Sequence, residues 1–398
     1  MAALSPVPSS VARSGLAKSH RPPGPRTLRA EETRKAAACS PGAQAIPREQ
    51  SCLPSIDDRH DRDRTMTDRG NLPRGRAAFW LVVSLALAAC DGDQSALDPA
   101  GEDASVLALL FWVMVAGAVV LFLMMNGLFF YFTRVKVRSQ SRAVARWLIV
   151  GGGIVLPVTV LGALLTWGLT ILPDHRQAGD GLRIRVTGEQ WWWRVEYWPE
   201  GSDTPILSAN ELRFPAGRRT ELILSSAHVI HSFWIPALGG KMDMFPGRET
   251  RLSLRPTEPG RYRGQCAEFC GTSHAWMAFE AEVMPPEAFA AWLGTEARSA
   301  NLPATAAAQA GMALFNREGC GACHAIRGTP HVGRVGPDLT HVGSRATLAA
   351  GRLPMSIEAL QAWIVQPDRL KPGALMPAYP HLTRTETLQL ATYLRGLE

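Results

Sequence analysis

Twelve consecutive residues, Cys266-Ala267-Glu268-Phe269-Cys270-Gly271-Thr272-Ser273-His274-Ala275-Trp276-Met277, bring together two thiols, an imidazole and a thioether. Donors at that density point to a soft metal. Cysteine and methionine suit copper(I), zinc or iron–sulfur, imidazole suits copper and zinc, and a thioether has little affinity for zinc, so Met277 favours copper. A second imidazole is needed upstream, and His231 in Val229-Ile230-His231-Ser232-Phe233-Trp234 is placed to supply it. The plain alternative for Cys266 and Cys270 is a disulfide, with His274 and Met277 as incidental neighbours.

A second redox motif follows. Cys320-Gly321-Ala322-Cys323-His324 has the c-type haem attachment pattern, two thiols for covalent addition and an adjacent imidazole for iron. A thioredoxin-like pair or a zinc pair is the alternative. The surroundings resemble a class I cytochrome c: Gly336-Pro337-Asp338-Leu339 is similar to the turn whose proline carbonyl orients the proximal histidine. Leu370-Lys371-Pro372-Gly373-Ala374-Leu375-Met376-Pro377 is similar to the loop that presents the distal methionine, which makes Met376 the expected sixth ligand. Met355, His331, His341 and His381 compete on chemistry, but none lies in such a loop, and the histidines read as surface residues.

The pattern Cys-x3-Cys-x3-His-x2-Met, the upstream His231 and Lys241-Met242-Asp243-Met244-Phe245-Pro246-Gly247-Arg248 resemble the CuA domain of cytochrome c oxidase subunit II. The resemblance covers residues 105–293, with the cytochrome c likeness over 307–398. It implies a dinuclear copper centre bridged by Cys266 and Cys270, one copper also taking His231 and Met277, the other His274 and the carbonyl of Glu268. It further implies one covalent haem c on Cys320, Cys323, His324 and Met376, and electron entry at Trp191 within Gln190-Trp191-Trp192-Trp193. Glu268 and Asp243 resemble positions at a magnesium site on the subunit I boundary. Electrons would come from quinol:cytochrome c reductase or a soluble cytochrome c and pass to subunit I, where oxygen is reduced; no residue of this chain need be catalytic.

Two departures stand out. His228 occupies the place of a usual aspartate three residues before His231; three steps along a strand would point it away, which makes it a non-ligand. Between Thr133 and Leu156 there is no Asp or Glu, whereas family members carry a proton-feeding glutamate near the start of the second helix. A nitric oxide reductase subunit and a free-standing membrane-anchored electron carrier are the competing readings.

Hydropathy divides the rest of the chain. Residues 1–65 are rich in Pro, Ser, Ala and Arg without an apolar period, and read as disordered or as preceding a true start at Met66. Residues 66–90 resemble a lipoprotein signal, with Leu87-Ala88-Ala89-Cys90 as its box and Cys90 as the lipidated residue. Val106 to Phe132 and Trp147 to Leu172 are long enough to span a bilayer. Arg134, Lys136, Arg138, Arg142 and Arg146 between them assign that loop to the cytoplasm, which puts the copper and haem motifs on the outer, periplasmic side of a bacterial inner membrane. The formal net charge of +7 is held by the leader and this loop. The folded parts are nearly neutral and carry no footprint for nucleic acid.

From Leu182 the apolar period becomes two, over Leu182 to Val186, Thr220 to Ser226, Thr250 to Leu254 and Ala278 to Met284. That predicts a β-sandwich, in the family a cupredoxin domain over 173–294. Pro286 to Leu293 reads as a closing helix. Residues 295–306 read as a linker, a flexible coil of about 20 Å that would keep the haem domain near copper at roughly millimolar effective concentration. Residues 307–398 are expected to be all-α. The fold class is therefore a multidomain membrane protein: a two-helix transmembrane hairpin over 105–172, a cupredoxin-like β-sandwich and an all-α cytochrome c domain.

Overall fold

Alternation sets the strands. In Arg183–Glu189 (β1) and Trp192–Trp198 (β2) every second side chain is buried, as a sheet covered on one face requires. The computed structural model describes residues 92, 94–135, 139, 141–172, 177–301 and 303–398; the leader, the signal-type segment and Cys90 lie outside the described residues. Eight further strands are Ile206–Ala209 (β3), Glu211–Pro215 (β4), Thr220–Ser226 (β5), His231–Trp234 (β6), Met242–Met244 (β7), Thr250–Leu254 (β8), Gly260–Cys266 (β9) and Ala278–Met284 (β10). They form two five-stranded sheets, β3-β2-β1-β5-β8 and β4-β10-β9-β6-β7.

Between the sheets lie Ile184, Val186, Trp193, Val195 and Tyr197 on one side and Leu212, Phe214, Phe233 and Phe279 on the other. Phe279 stacks on Phe233 with centroids 4.9 Å apart and meets Trp193 edge-on at 5.1 Å, the offset and T-shaped arrangements aromatic rings prefer. Gly264 makes room for this cluster, since a Cβ there would lie 2.1 Å from the Phe279 ring.

Before the sandwich come Glu102–Phe130 (α1), running into a π-helical turn at Tyr131–Val135, and Arg142–Arg146 (α2), continuing through a π-helical stretch into Leu156–Ile171 (α3). That stretch contains Gly151 to Gly153 and ends just before Pro157, whose missing N–H interrupts the regular ladder. The segments Glu102–Val135 and Arg142–Ile171 are long and apolar enough to cross a membrane, and the chain itself buries none of their most apolar windows. Asp103 ties α1 to the sandwich: Arg219 Nη1 donates to its Oδ1 at 3.0 Å and the Arg255 amide to its Oδ2 at 2.8 Å.

After the sandwich come Pro286–Glu296 (α4), Ala306–Arg317 (α5), Ile357–Val365 (α6), Pro367–Leu370 (α7) and Arg384–Arg395 (α8). α5 and α8 cross closely because Gly311 has no side chain; a Cβ there would meet the Gln389 carbonyl at 2.1 Å. Thr383 and Glu386 form the capping box of α8, and Leu390, Tyr393, Leu394 and Leu397 are buried together on one side.

Three expectations change. The C-terminal region is not all-α: Thr347–Leu348 (β11) pairs with Leu353–Pro354 (β12) across a turn in which Ala349, Ala350 and Gly351 take φ of 56°, 59° and 78°. Alanine rarely adopts that backbone, so composition carried no sign of it. The closing helix runs to Glu296, and the stretch read as a flexible linker is pinned: Arg327 Nη2 donates to the Glu296 carbonyl at 2.6 Å and the Ala300 amide to the Arg327 carbonyl at 2.9 Å. His341 is buried rather than on the surface, its Nε2 sitting 3.1 Å from the Arg298 carbonyl in the same stretch.

Candidate metal centre

β9 delivers Cys266 to a loop that returns at Met277, where β10 begins. The loop is closed at its base by the Cys266 amide donating to the Met277 carbonyl at 2.9 Å. Gly271, at φ 114°, makes the turn, and a short 3₁₀ segment, His274–Trp276, aims His274 inward. Cys266 and Cys270 are unbonded, their sulfurs 3.8 Å apart, far from the roughly 2.05 Å of a disulfide.

The imidazoles stand at different thiols. His231 Nδ1, from β6, is 3.7 Å from Cys266 Sγ, and His274 Nδ1 is 3.6 Å from Cys270 Sγ. Met277 Sδ lies 3.8 Å from Cys270 Sγ, and the Glu268 carbonyl 3.1 Å from Cys266 Sγ. The donor atoms of His231, Cys266 and Cys270 lie within 4.8 Å of one another, all buried. Packing places the His231 ring: it faces Trp193 and lies over Gly188, where a Cβ would come within 2.7 Å of it. The Cys270 thiol and the nearby His231 hold Cys266 well below the ordinary thiol range, while the hydrogen bond between the two sulfurs and burial push Cys270 up. Two thiols, two imidazoles, a thioether and a carbonyl gathered in one cluster suit a soft metal.

The other sequence-derived residues fall as follows. Asp243 Oδ1 is 3.3 Å from Lys241 Nζ, while Glu268 is partly exposed, its carbonyl facing the thiols. His228 lies in the loop after β5, not on a strand, and borders the haem-side cavity described next; the strand-alternation argument does not apply to it.

That cavity is mainly apolar and is bordered by Cys320, Cys323, His324 and Met376. His324 Nδ1 lies 2.8 Å from the Pro337 carbonyl, which fixes Nδ1–H as the donor and leaves Nε2 free as a ligand. Burial lowers the His324 pKa, the direction that favours the neutral ring a ligand needs. Gly336 lies against this ring, and a Cβ there would meet it at 2.5 Å. Burial also pushes the Cys320 thiol up to about 11. Of the competing ligands, His331 pairs with Asn316 at 2.8 Å and His381 with Glu318 at 2.9 Å. Met355 packs at the core of α6 and α8. The cavity, with two thiols, an imidazole and a thioether in its lining, suits a haem.

Trp191 stands between the two centres. Its Nε1 donates to the Cys270 carbonyl at 3.0 Å, as does Gln190 Nε2. Its ring lies against both Gly271 of the copper-side loop and Gly373 of the Met376 loop, where an added Cβ would come within 3.1 and 2.7 Å. Both glycines have left-handed φ, 114° and 82°. Trp193, by contrast, is wholly buried in the sandwich core.

Sequence reasoning missed the residues that join the two domains. Lys371 Nζ donates to the carbonyls of Trp191 at 2.7 Å and Ala349 at 2.8 Å; burial drives its pKa down to about 7. Arg352 sits 4.6 Å over the Trp276 ring. Glu211 Oε1, whose pKa burial raises, accepts from the amides of Ala346 and Thr347 at 2.6 and 3.1 Å. A charged residue in a proline-glycine loop reads as solvated from sequence, and no spacing marks it otherwise.

The family of the cytochrome c oxidase subunit II periplasmic domain matches residues 199–284, and the cytochrome c family residues 308–398. Cytochrome c oxidase subunit 2 of Alkalihalophilus pseudofirmus is 37% identical over 226 residues, spanning 57% of this chain and 64% of that protein. The Bacillus subtilis protein of the same name is 33% identical over 255 residues, spanning 62% of this chain and 70% of its own. The solved periplasmic domain of subunit II of cytochrome oxidase from Bradyrhizobium japonicum is 30% identical, covering 30% of this chain and 95% of that one, with a TM-score of 0.26. The chain belongs to the cytochrome c oxidase subunit II family.

Proposed function

We propose that this chain is the electron-input subunit of a respiratory haem-copper oxidase, receiving electrons at its own C-terminal domain and passing them through its copper domain to subunit I, where oxygen is reduced to water. Cys266 and Cys270 would bridge two coppers, with His231 and Met277 completing one and His274 and the Glu268 carbonyl the other. Cys320 and Cys323 would hold one haem c covalently, between His324 and Met376. So loaded, the two sites supply one-electron relays. Glu268 and Asp243 would be this chain's share of a magnesium site at the subunit I boundary.

The observation that carries this reading is the position of Trp191. One indole touches the loop of Cys270 by hydrogen bond and the loop of Met376 by packing, so a single side chain connects the two ligand sets. The ligand loops hang from paired strands and from the α5–α8 core, which holds donor geometry still as charge changes. α1 and α3 would anchor the chain as a hairpin in a bacterial inner membrane, basic loop inward and both redox domains outward. The donor would be quinol:cytochrome c reductase or a soluble cytochrome c, docking on the haem domain.

Trp191→Ala tests the route. In the purified complex, copper content and haem absorption should be retained, while electron transfer from haem to copper after flash reduction slows by at least roughly tenfold, the loss typical of misplacing one positioned group. An unchanged rate would contradict a route through Trp191.

A further inference from the structure

Lys371 is almost fully buried, 3% exposed, at the seam between the copper and haem domains. Burying an ammonium is costly unless its donors are used. Here two are: one to the carbonyl of Trp191 in the copper domain, one to that of Ala349 in its own domain. Ala349 begins the left-handed run Ala349-Ala350-Gly351, a backbone that persists only where its surroundings over-determine it. The carbonyl of Ala350 in that run accepts from the amide of Ala278 in β10 at 3.1 Å, directly after Met277. The same lysine precedes Pro372, whose carbonyl accepts from Ser273 Oγ at 2.6 Å. A strained turn, a buried lysine and the Met376 loop thus converge on Trp191.

From this convergence we infer that Lys371 is a positioning residue: it holds the haem domain in one fixed docking on the copper domain, with the Met376 loop seated against Trp191. The inference rests on the proposed electron route but not on the flexible tether that composition suggested. Haem-to-copper transfer then occurs in a standing complex rather than by repeated encounters on a linker. The Met376 loop packs on the Trp191 ring, so a soluble donor delivers its electron to the haem and not directly to the copper side.

The test uses the whole oxidase complex carrying Lys371→Met, which keeps the length and apolar stem but leaves both carbonyls without their donor. Hydrogen exchange at the amides of Ala278, Ala346 and Thr347, which bond across the seam, should quicken by at least roughly tenfold, while amides inside α5 and α8 keep their protection. The fast haem-to-copper phase should slow by at least roughly tenfold, with copper content, haem attachment and haem potential unchanged. Lys371→Gln, which keeps two N–H donors on a shorter side chain, should fall between wild type and Lys371→Met in both measurements. Unchanged exchange at the three seam amides in Lys371→Met would overturn the inference, as would a shifted haem potential with the seam intact, which would make Lys371 part of the haem site. Failure of the wild-type complex to hold copper or haem would instead strike the proposed function, so the two failures are distinguishable.

Discussion

At the scale of single residues, the site depends on side chains that are absent as much as on those present. Gly188 lets the His231 ring approach the sheet and Gly336 lets the His324 ring face its cavity; a methyl at either place would overlap the imidazole. Gly188→Ala is therefore predicted to reduce copper retained per chain while leaving haem attached, measured by metal analysis of the purified complex. Gly336→Ala is predicted to leave copper intact and disturb the haem spectrum. The reverse pattern, or no effect of either, would contradict these assignments. The candidate donors could be picked out from the sequence because metal chemistry demands particular side chains at short spacings. Lys371, Glu211 and Arg352 were not, since a polar residue buried at a seam between domains has the same sequence context as one in water.

At the scale of elements, period-two and helical patterns located strands and helices well wherever one face is buried. Thr220–Ser226, Thr250–Leu254, Ala278–Met284 and Ile357–Val365 appear with the expected bounds. What failed was the hairpin of β11 and β12 and the pinned stretch after α4, both decided by long-range backbone bonds rather than by local pattern. The capping box of α8 makes a pH prediction. The Thr383 amide and Arg317 hold Glu386 at about 2, below its ordinary 4.5. A carboxyl depressed on folding stabilises the fold above its unfolded pKa and loses that contribution as protons bind to the folded form. Glu386→Gln should thus unfold more easily than wild type near neutrality, with the difference shrinking between pH 4.5 and 2, followed as haem-domain melting. A difference constant across that range would contradict the assignment.

At the scale of the whole molecule, a pair of apolar helices, a β-sandwich and a cytochrome c domain are joined so that the loops of two candidate ligand sets meet at one tryptophan. Nearly neutral folded domains predict that transfer between them depends little on salt, since there is little net charge to screen; a rate falling steeply from low to high ionic strength would contradict this. The seam explains why a linker estimate from composition misleads: residues 296–301 spend their polar groups on the haem domain, leaving little chain to behave as a coil. The most direct test of the whole account is the metal and spin content of the purified complex. It predicts two coppers per chain sharing one unpaired electron in the oxidised state, lost in Cys270→Ser, alongside one covalent haem. A single copper, a zinc, or a Cys266–Cys270 disulfide in the wild type would contradict it.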